Sequence, residues 1–170
     1  MRQRKGFTLI ELLVVIAIIG LLATLAVIAV SSARVKARDA RRVSDIKQIQ
    51  SALDLYATDK SGYPHLGIDS ALELGTGEAT CIDSSVNGFV GTCTSGELVY
   101  MSRVPMNPAP GGQNYEYAAK NTDGTACSTA NVCNDYRIDF ILEGPTAELR
   151  DTTGDGTILC AATSSGITCD

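Results

Sequence analysis

Twenty-four consecutive residues, Phe7 to Val30 (FTLIELLVVIAIIGLLATLAVIAV), carry a single charge, Glu11. As a helix rising about 1.5 Å per residue, this run is about 36 Å long, enough to cross a bilayer core of about 30 Å with modest tilt. A helix that is apolar on every side has to be covered by lipid or by other protein. A secretory signal is the competing reading, because Arg2, Arg4 and Lys5 form a positive n-region and Ser31-Ser32-Ala33 passes for a cleavage site. Such an apolar core normally runs about 7–15 residues, and a discarded signal has no use for Glu11. An acid inside a span costs about 2.5–3.5 kcal/mol on insertion scales and usually marks a functional contact.

The rest of the chain is electrically different. Residues 1–60 hold ten basic and five acidic side chains, a net of +5, whereas residues 61–170 hold four and fourteen, a net of -10. All six cysteines lie between Cys81 and Cys169. Two such halves sit in different surroundings, and disulfide-forming cysteines imply an oxidising, exported compartment for the second. The N-terminus is then cytoplasmic. A bare count of positive charges favours the opposite side, because Arg34, Lys36, Arg38, Arg41 and Arg42 follow the span. That second basic cluster is expected to touch lipid headgroups, to line a polymer or to face solvent.

Enzymatic readings have little to work with. His65 is the only histidine and follows Pro64 in a turn, and no phosphate-binding or dinucleotide-binding glycine motif is present. The basic stripe lacks interleaved aromatics and is joined to an acidic segment, which disfavours nucleic acid as a partner.

The segment Arg4-Lys5-Gly6-Phe7-Thr8-Leu9-Ile10-Glu11 followed by a long apolar run resembles the class III signal of type IV pilins and pseudopilins. The resemblance implies cleavage by a membrane-embedded prepilin peptidase between Gly6 and Phe7, N-methylation of Phe7, and retention of the apolar helix on the mature chain. It also implies that the new ammonium at Phe7 pairs with Glu11 of an adjacent subunit. A buried charge is tolerated when paired and strongly destabilising when its partner is removed, so such a clamp would set the register of a polymer.

Beyond the span, residues 31–60 contain neither Gly nor Pro, and Val43, Ile46, Ile49, Leu53 and Tyr56 form one apolar stripe at intervals of three or four. The spacing predicts a helix of about 50 residues, ended by Ser61-Gly62-Tyr63-Pro64. This stretch, ARDARRVSDIKQIQSALDLYATDKSGYP, also resembles its counterpart in pilins and pseudopilins. Many type IV pilins carry a proline late in the apolar helix; residues 7–60 here have none.

The predicted organisation is therefore a leader at 1–6, a transmembrane and polymerisation helix at 7–30, an amphipathic continuation at 31–60, and a disulfide-bearing head at 61–170. Its fold class is α+β, with the long helix against a small antiparallel sheet. Within the head, Leu66–Leu74 is expected to form a short helix, Gly75–Gly96 a loop, and VYMSRVPMNPAPGGQNYEYAA resembles the family's proline-rich turn before the first sheet strand. Tyr115 and Tyr117 alternate with polar neighbours as in a half-buried strand, Tyr136–Glu143 alternates likewise, and Thr157–Ala161 is a third strand.

The six cysteines permit fifteen complete pairings, which spacing does not resolve. The local set Cys81–Cys93, Cys127–Cys133 and Cys160–Cys169 is preferred because each pair brackets a Gly/Ser/Thr-rich loop. Zinc is disfavoured, since no CxxC spacing or neighbouring histidine is present. Asp151, Thr153 and Asp155 partly match the early positions of an EF-hand-like calcium loop, but Ala162 stands where the twelfth-position Glu belongs. The preferred reading there is an Asp/Gly turn with no cofactor, and calcium is the alternative.

The function expected from this sequence is that of a non-catalytic subunit of a type IV pilus, polymerising into a cell-surface filament for adhesion, motility or DNA uptake. Its partners would be further copies of itself, the prepilin peptidase, an assembly platform with minor pilins, and lipid before assembly. It would reside in the inner membrane first and in an extracellular or periplasmic filament afterwards. A pseudopilin of a type II secretion or competence system is the alternative within the family, and a monomeric membrane-anchored binding protein the alternative outside it.

Overall fold

The computed structural model describes residues 6–65, 71–85, 87–110, 113–127, 133–144 and 158–169. The chain divides into two compact units, Met1–Ala37 and Arg38–Asp170. One helix, α1 (Leu9–Lys60), runs through 52 residues and contributes to both.

In the second unit the α1 stripe behaves as its periodicity predicts. Ile46, Ile49 and Leu53 are fully buried, Tyr56 is nearly so, and Val43 packs at the margin. Each fully buried aliphatic side chain contributes roughly 1.5–3 kcal/mol relative to exposure. The helix stops at Ser61, which takes a left-handed backbone with φ 62° at the start of the expected Ser61-Gly62-Tyr63-Pro64 stop. The chain then returns along the core: the Tyr63 amide donates to the Cys133 carbonyl at 2.8 Å, and the Tyr117 hydroxyl donates to the Pro64 carbonyl at 2.6 Å.

The stripe packs on an antiparallel five-stranded sheet ordered β1 (Leu72–Glu73), β5 (Glu116–Lys120), β6 (Asp135–Leu142), β7 (Ile158–Thr163) and β8 (Gly166–Cys169). In β6, Tyr136, Ile138, Phe140 and Leu142 are buried and alternate with more exposed residues, the period of a strand with one covered face. In β7, Ile158, Cys160 and Ala162 do the same. The expected strands at Tyr136–Glu143 and Thr157–Ala161 thus appear as β6 and β7, and β8 extends the sheet beyond them.

Two expectations for the head change. Leu72 and Glu73 do not continue a helix begun at Leu66; they pair with Tyr117 and Glu116 as an edge strand, and Leu74 is buried beside them. Residues 66–70 of that expected helix lie outside the described residues. The stretch Gly75–Gly96 is not merely a loop either. It contributes β2 (Cys81–Asp83) and β3 (Phe89–Val90), which with β4 (Val99–Met101) form a second sheet ordered β3-β2-β4. Buried Ala79, Ile82 and Phe89 drive this sheet onto the common core, a tertiary gain that outweighs the polar composition of the stretch. Gly88 is required there: its φ is 73°, and a Cβ would lie 2.6 Å from Pro64 Cγ and 3.0 Å from Tyr56 Cε2.

A third correction concerns the basic cluster. Arg42 is fully buried rather than directed at headgroups or solvent. Its Nη1 donates to Asp39 Oδ1 at 2.7 Å, its Nε to Asn107 Oδ1 at 2.7 Å, and its Nη2 to the Pro108 carbonyl and to Glu143. Arg38 makes a forked pair with the same Glu143, with Nε 3.0 Å from both carboxylate oxygens. Asp39 is satisfied in turn by the backbone amides of Glu143 (2.9 Å) and Gly144 (3.0 Å). Two cations and two carboxylates therefore neutralise one another where α1 meets the end of β6. Hydrogen bonds from Arg38 hold the Glu143 carboxyl down at about 2 against the opposing effect of burial, with Arg42 adding to the depression.

Candidate processing and assembly site

In the first unit, Gly6 and Phe7 are exposed and precede the helix. Thr8 is its N-cap. The Thr8 amide donates to Glu11 Oε2 at 2.8 Å, the Thr8 hydroxyl donates to the same oxygen at 2.7 Å, and the Glu11 amide approaches the Thr8 hydroxyl at 3.4 Å. This reciprocal arrangement is a capping box, which satisfies helix-terminal amides that otherwise lack partners and places a carboxylate at the positive end of the helix dipole. The pattern T-x-x-E was present in the sequence, but its apolar setting drew attention to the acid alone. Thr8 is thus a residue the sequence reading missed, and Glu11 has a use within its own chain.

The helix that follows presents its apolar surface uncovered: Leu9 is 81% exposed, and Ile10, Leu13, Ile16, Leu21, Leu25 and Ile28 are all exposed. It is long and apolar enough to cross a membrane. Between Leu12 and Val30 its one polar side chain is Thr24, whose hydroxyl donates to the Leu21 carbonyl at 2.8 Å, so that its polarity is spent inside the helix. Gly20 is the weakest helix former between Phe7 and Val30, about 1 kcal/mol below alanine.

In the second unit, three disulfides join Cys81 to Cys93, Cys127 to Cys133 and Cys160 to Cys169, which are the three local pairs preferred from the sequence. Cys160–Cys169 links directly paired residues of β7 and β8 and so ties the edge strand to its neighbour. Cys81–Cys93 fastens β2 to the loop after β3. At the end of β2, Asp83 is fully buried and accepts the amides of Ser85 (3.0 Å) and, from that loop, Thr94 (2.9 Å). Burial raises its carboxyl pKa, but these hydrogen bonds more than offset it and leave a net lowering.

The calcium-loop residues Asp151, Thr153 and Asp155 lie outside the described residues. Among the described residues no group of three or more His, Cys, Asp or Glu side chains could hold a metal ion. His65 is partly buried near the turn that follows α1.

The family model of the prokaryotic N-terminal methylation motif matches residues 1–30. The chain is 34% identical over 125 residues to the type II secretion system core protein G of Pseudomonas aeruginosa, covering 72% of this chain and 79% of that protein. It is 33% identical over 125 residues to the protein of the same description from Vibrio cholerae, covering 74% of this chain and 77% of the relative. The Escherichia coli K12 protein of that description is 37% identical over 90 residues, 52% of this chain and 62% of the relative. No solved structure matches. The apolar helix that carries the methylation motif anchors the protein to the membrane by its N-terminus. The chain belongs to the family of the type II secretion system core protein G, the pseudopilins within the type IV pilin-like proteins.

Proposed function

We propose that this protein is a pseudopilin: a non-catalytic structural subunit that is cut between Gly6 and Phe7, methylated on Phe7, and polymerised through its apolar helix into a short periplasmic filament of a type II secretion machine. The observation that carries this reading is the similarity to core protein G over nearly three quarters of the chain. It favours the pseudopilin over the surface pilus expected from the sequence. The exposed apolar helix supports polymerisation, because a surface of that kind is stable only in lipid or against other helices. The three disulfides support an oxidising periplasm for the head and an inner-membrane N-terminus facing the cytoplasm. Pairing of Arg38 and Arg42 with Glu143 and Asp39 supports the same topology, since two of the five charges beyond the span are already neutralised inside the folded unit.

Processing turns Phe7 into a free ammonium one residue before the N-cap. Glu11 of a neighbouring copy would neutralise it, and both of the hydrogen bonds that Glu11 accepts within its own chain fall on Oε2. The partners would be further copies of the chain, the prepilin peptidase and the secretion platform. Deleting the gene and assaying export of folded enzymes and surface filaments separates the two readings. Loss of export with surface filaments retained is the expected result; retained export with surface filaments lost would restore the pilus reading. Mass spectrometry of the mature protein should find methyl-Phe7 at the N-terminus, and a start near Ala33 would refute processing at Gly6.

A further inference from the structure

The buried face of α1 in the second unit changes chemistry along its length. Its first buried residues are Asp39, Arg42 and Asp45; from Ile46 onward they are Ile46, Ile49, Ala52, Leu53 and Tyr56. The first group is held by charge and hydrogen bonds. Arg42 binds Asp39, Asn107, Pro108 and Glu143, Arg38 binds Glu143, and Asp39 takes the amides of Glu143 and Gly144. Asp45 receives only a long hydrogen bond, 3.4 Å, from the Tyr115 hydroxyl, and Arg41 stands 4.0 Å away. The second group is held by apolar packing against Tyr115, Tyr136, Ile138, Phe140 and their neighbours.

We propose that Arg38–Asp45 is a releasable cuff: these two turns of helix open from the head as a unit while Ile46–Tyr56 and both sheets stay packed. The two groups differ in what opening costs. Freeing the apolar group exposes hydrocarbon to water with nothing returned. Freeing the charged group returns Arg38, Asp39, Arg42 and Glu143 to water together, and their recovered hydration offsets much of the lost attraction. Removing one partner alone has a different effect, because it leaves the remaining buried charges unbalanced and drives the cuff open. The released state displays Arg38, Asp39, Arg42, Asp45 and Glu143, which the closed state conceals wholly or in large part, so the cuff is a two-state element built into the head and independent of the secretion reading.

The test uses the full-length protein in detergent micelles, treated with butanedione under native conditions, with modification read by mass spectrometry. Hydrogen exchange is followed in parallel over 46–56 and β6. Arg42, fully buried when closed, should be modified about 10- to 1,000-fold more slowly than exposed Arg41 yet well ahead of exchange at the β6 amides, as sub-global opening requires. Glu143→Gln should speed modification of Arg42 by about tenfold and leave exchange over 46–56 unchanged, since one partner of the network loses its charge. Modification of Arg42 only as fast as β6 exchanges would overturn the proposal, because the cuff would then open only when the whole head unfolds. The wild-type comparison decides this even if the variant does not fold.

Discussion

Ile16, Ile18 and Leu22 of the first unit are each more than half exposed, whereas Ile46, Ile49 and Leu53, on the same helix in the second unit, are fully buried. The composition of the two stretches explains the contrast. The first is apolar at every angle and cannot bury itself against one partner, while the second interleaves Lys47, Gln48, Ser51 and Asp54 between its apolar positions and so has one face for a core and one for water. One continuous helix therefore serves as a surface waiting for lipid or other copies in one unit and as the floor of a folded core in the other. Stability of the head and assembly of the filament should be separable by mutation.

The largest expected effect is on assembly alone. Glu11→Ala should leave cleavage and head folding intact and abolish polymer formation, with cross-linked multimers falling by about 100-fold if an unpaired ammonium must otherwise be buried. Thr8→Ala sharpens the test, because it removes the cap while keeping the carboxylate. A cap of this kind is worth about 0.5–2 kcal/mol, so Thr8→Ala should assemble nearly normally; equal loss in both variants would assign Glu11 to capping rather than to a contact between copies.

Next comes the core. Leu53→Ala should destabilise the head by about 2–5 kcal/mol in chemical unfolding, whereas Ile18→Ala should leave the head's unfolding midpoint unchanged. A large effect of Ile18→Ala on that midpoint would break the separation between the units.

Disulfides come third. The double substitution Cys81→Ser/Cys93→Ser should cost about 2–4 kcal/mol of head stability and leave the protein in the membrane fraction, because the anchor lies wholly in the other unit.

The smallest effect concerns acid. Glu143 is lowered from 4.5 to about 2 in the folded chain, so its contribution is fully present above pH 4.5 and is lost as pH falls toward 2. The facing groups are Arg38, Asp39 and Arg42. Thermal unfolding followed from pH 5 to pH 2 should show a fall a few degrees larger in the wild type than in Glu143→Gln. Parallel curves would mean that other carboxylates govern acid sensitivity.

Much of this architecture is legible in local pattern. The 24-residue apolar run is a signal of length and composition, while the stripe at Val43, Ile46, Ile49, Leu53 and Tyr56 and the alternation over Tyr136–Glu143 are periodic, and the structure turns each into the element that the signal implies. The processing motif is equally local, since Gly6, Phe7 and Glu11 lie within six consecutive residues. Leu72 and Glu73 were misread because a two-residue edge strand has no period of its own and exists only through pairing with Tyr117 and Glu116. The β2–β3 sheet was missed for a related reason: Gly, Ser and Thr dominate its composition, and only contact with the core makes Ile82 and Phe89 decisive.

The amino-acid sequence by itself determined that the chain has an apolar helix needing cover, an acidic cysteine-bearing head, and a helix long enough to belong to both, because these follow from charge, hydropathy and spacing along neighbouring residues. Only the tertiary structure decided which of the charged residues after the span belong to the surface. Arg41 and Arg42 are adjacent and chemically identical, yet Arg42 is enclosed by Asp39, Asn107 and Glu143 while the Arg41 side chain is 70% exposed. A step of about 100° around the helix separates them, and at the angle of Arg42 the fold brings up Asn107 and Glu143 from more than sixty positions away.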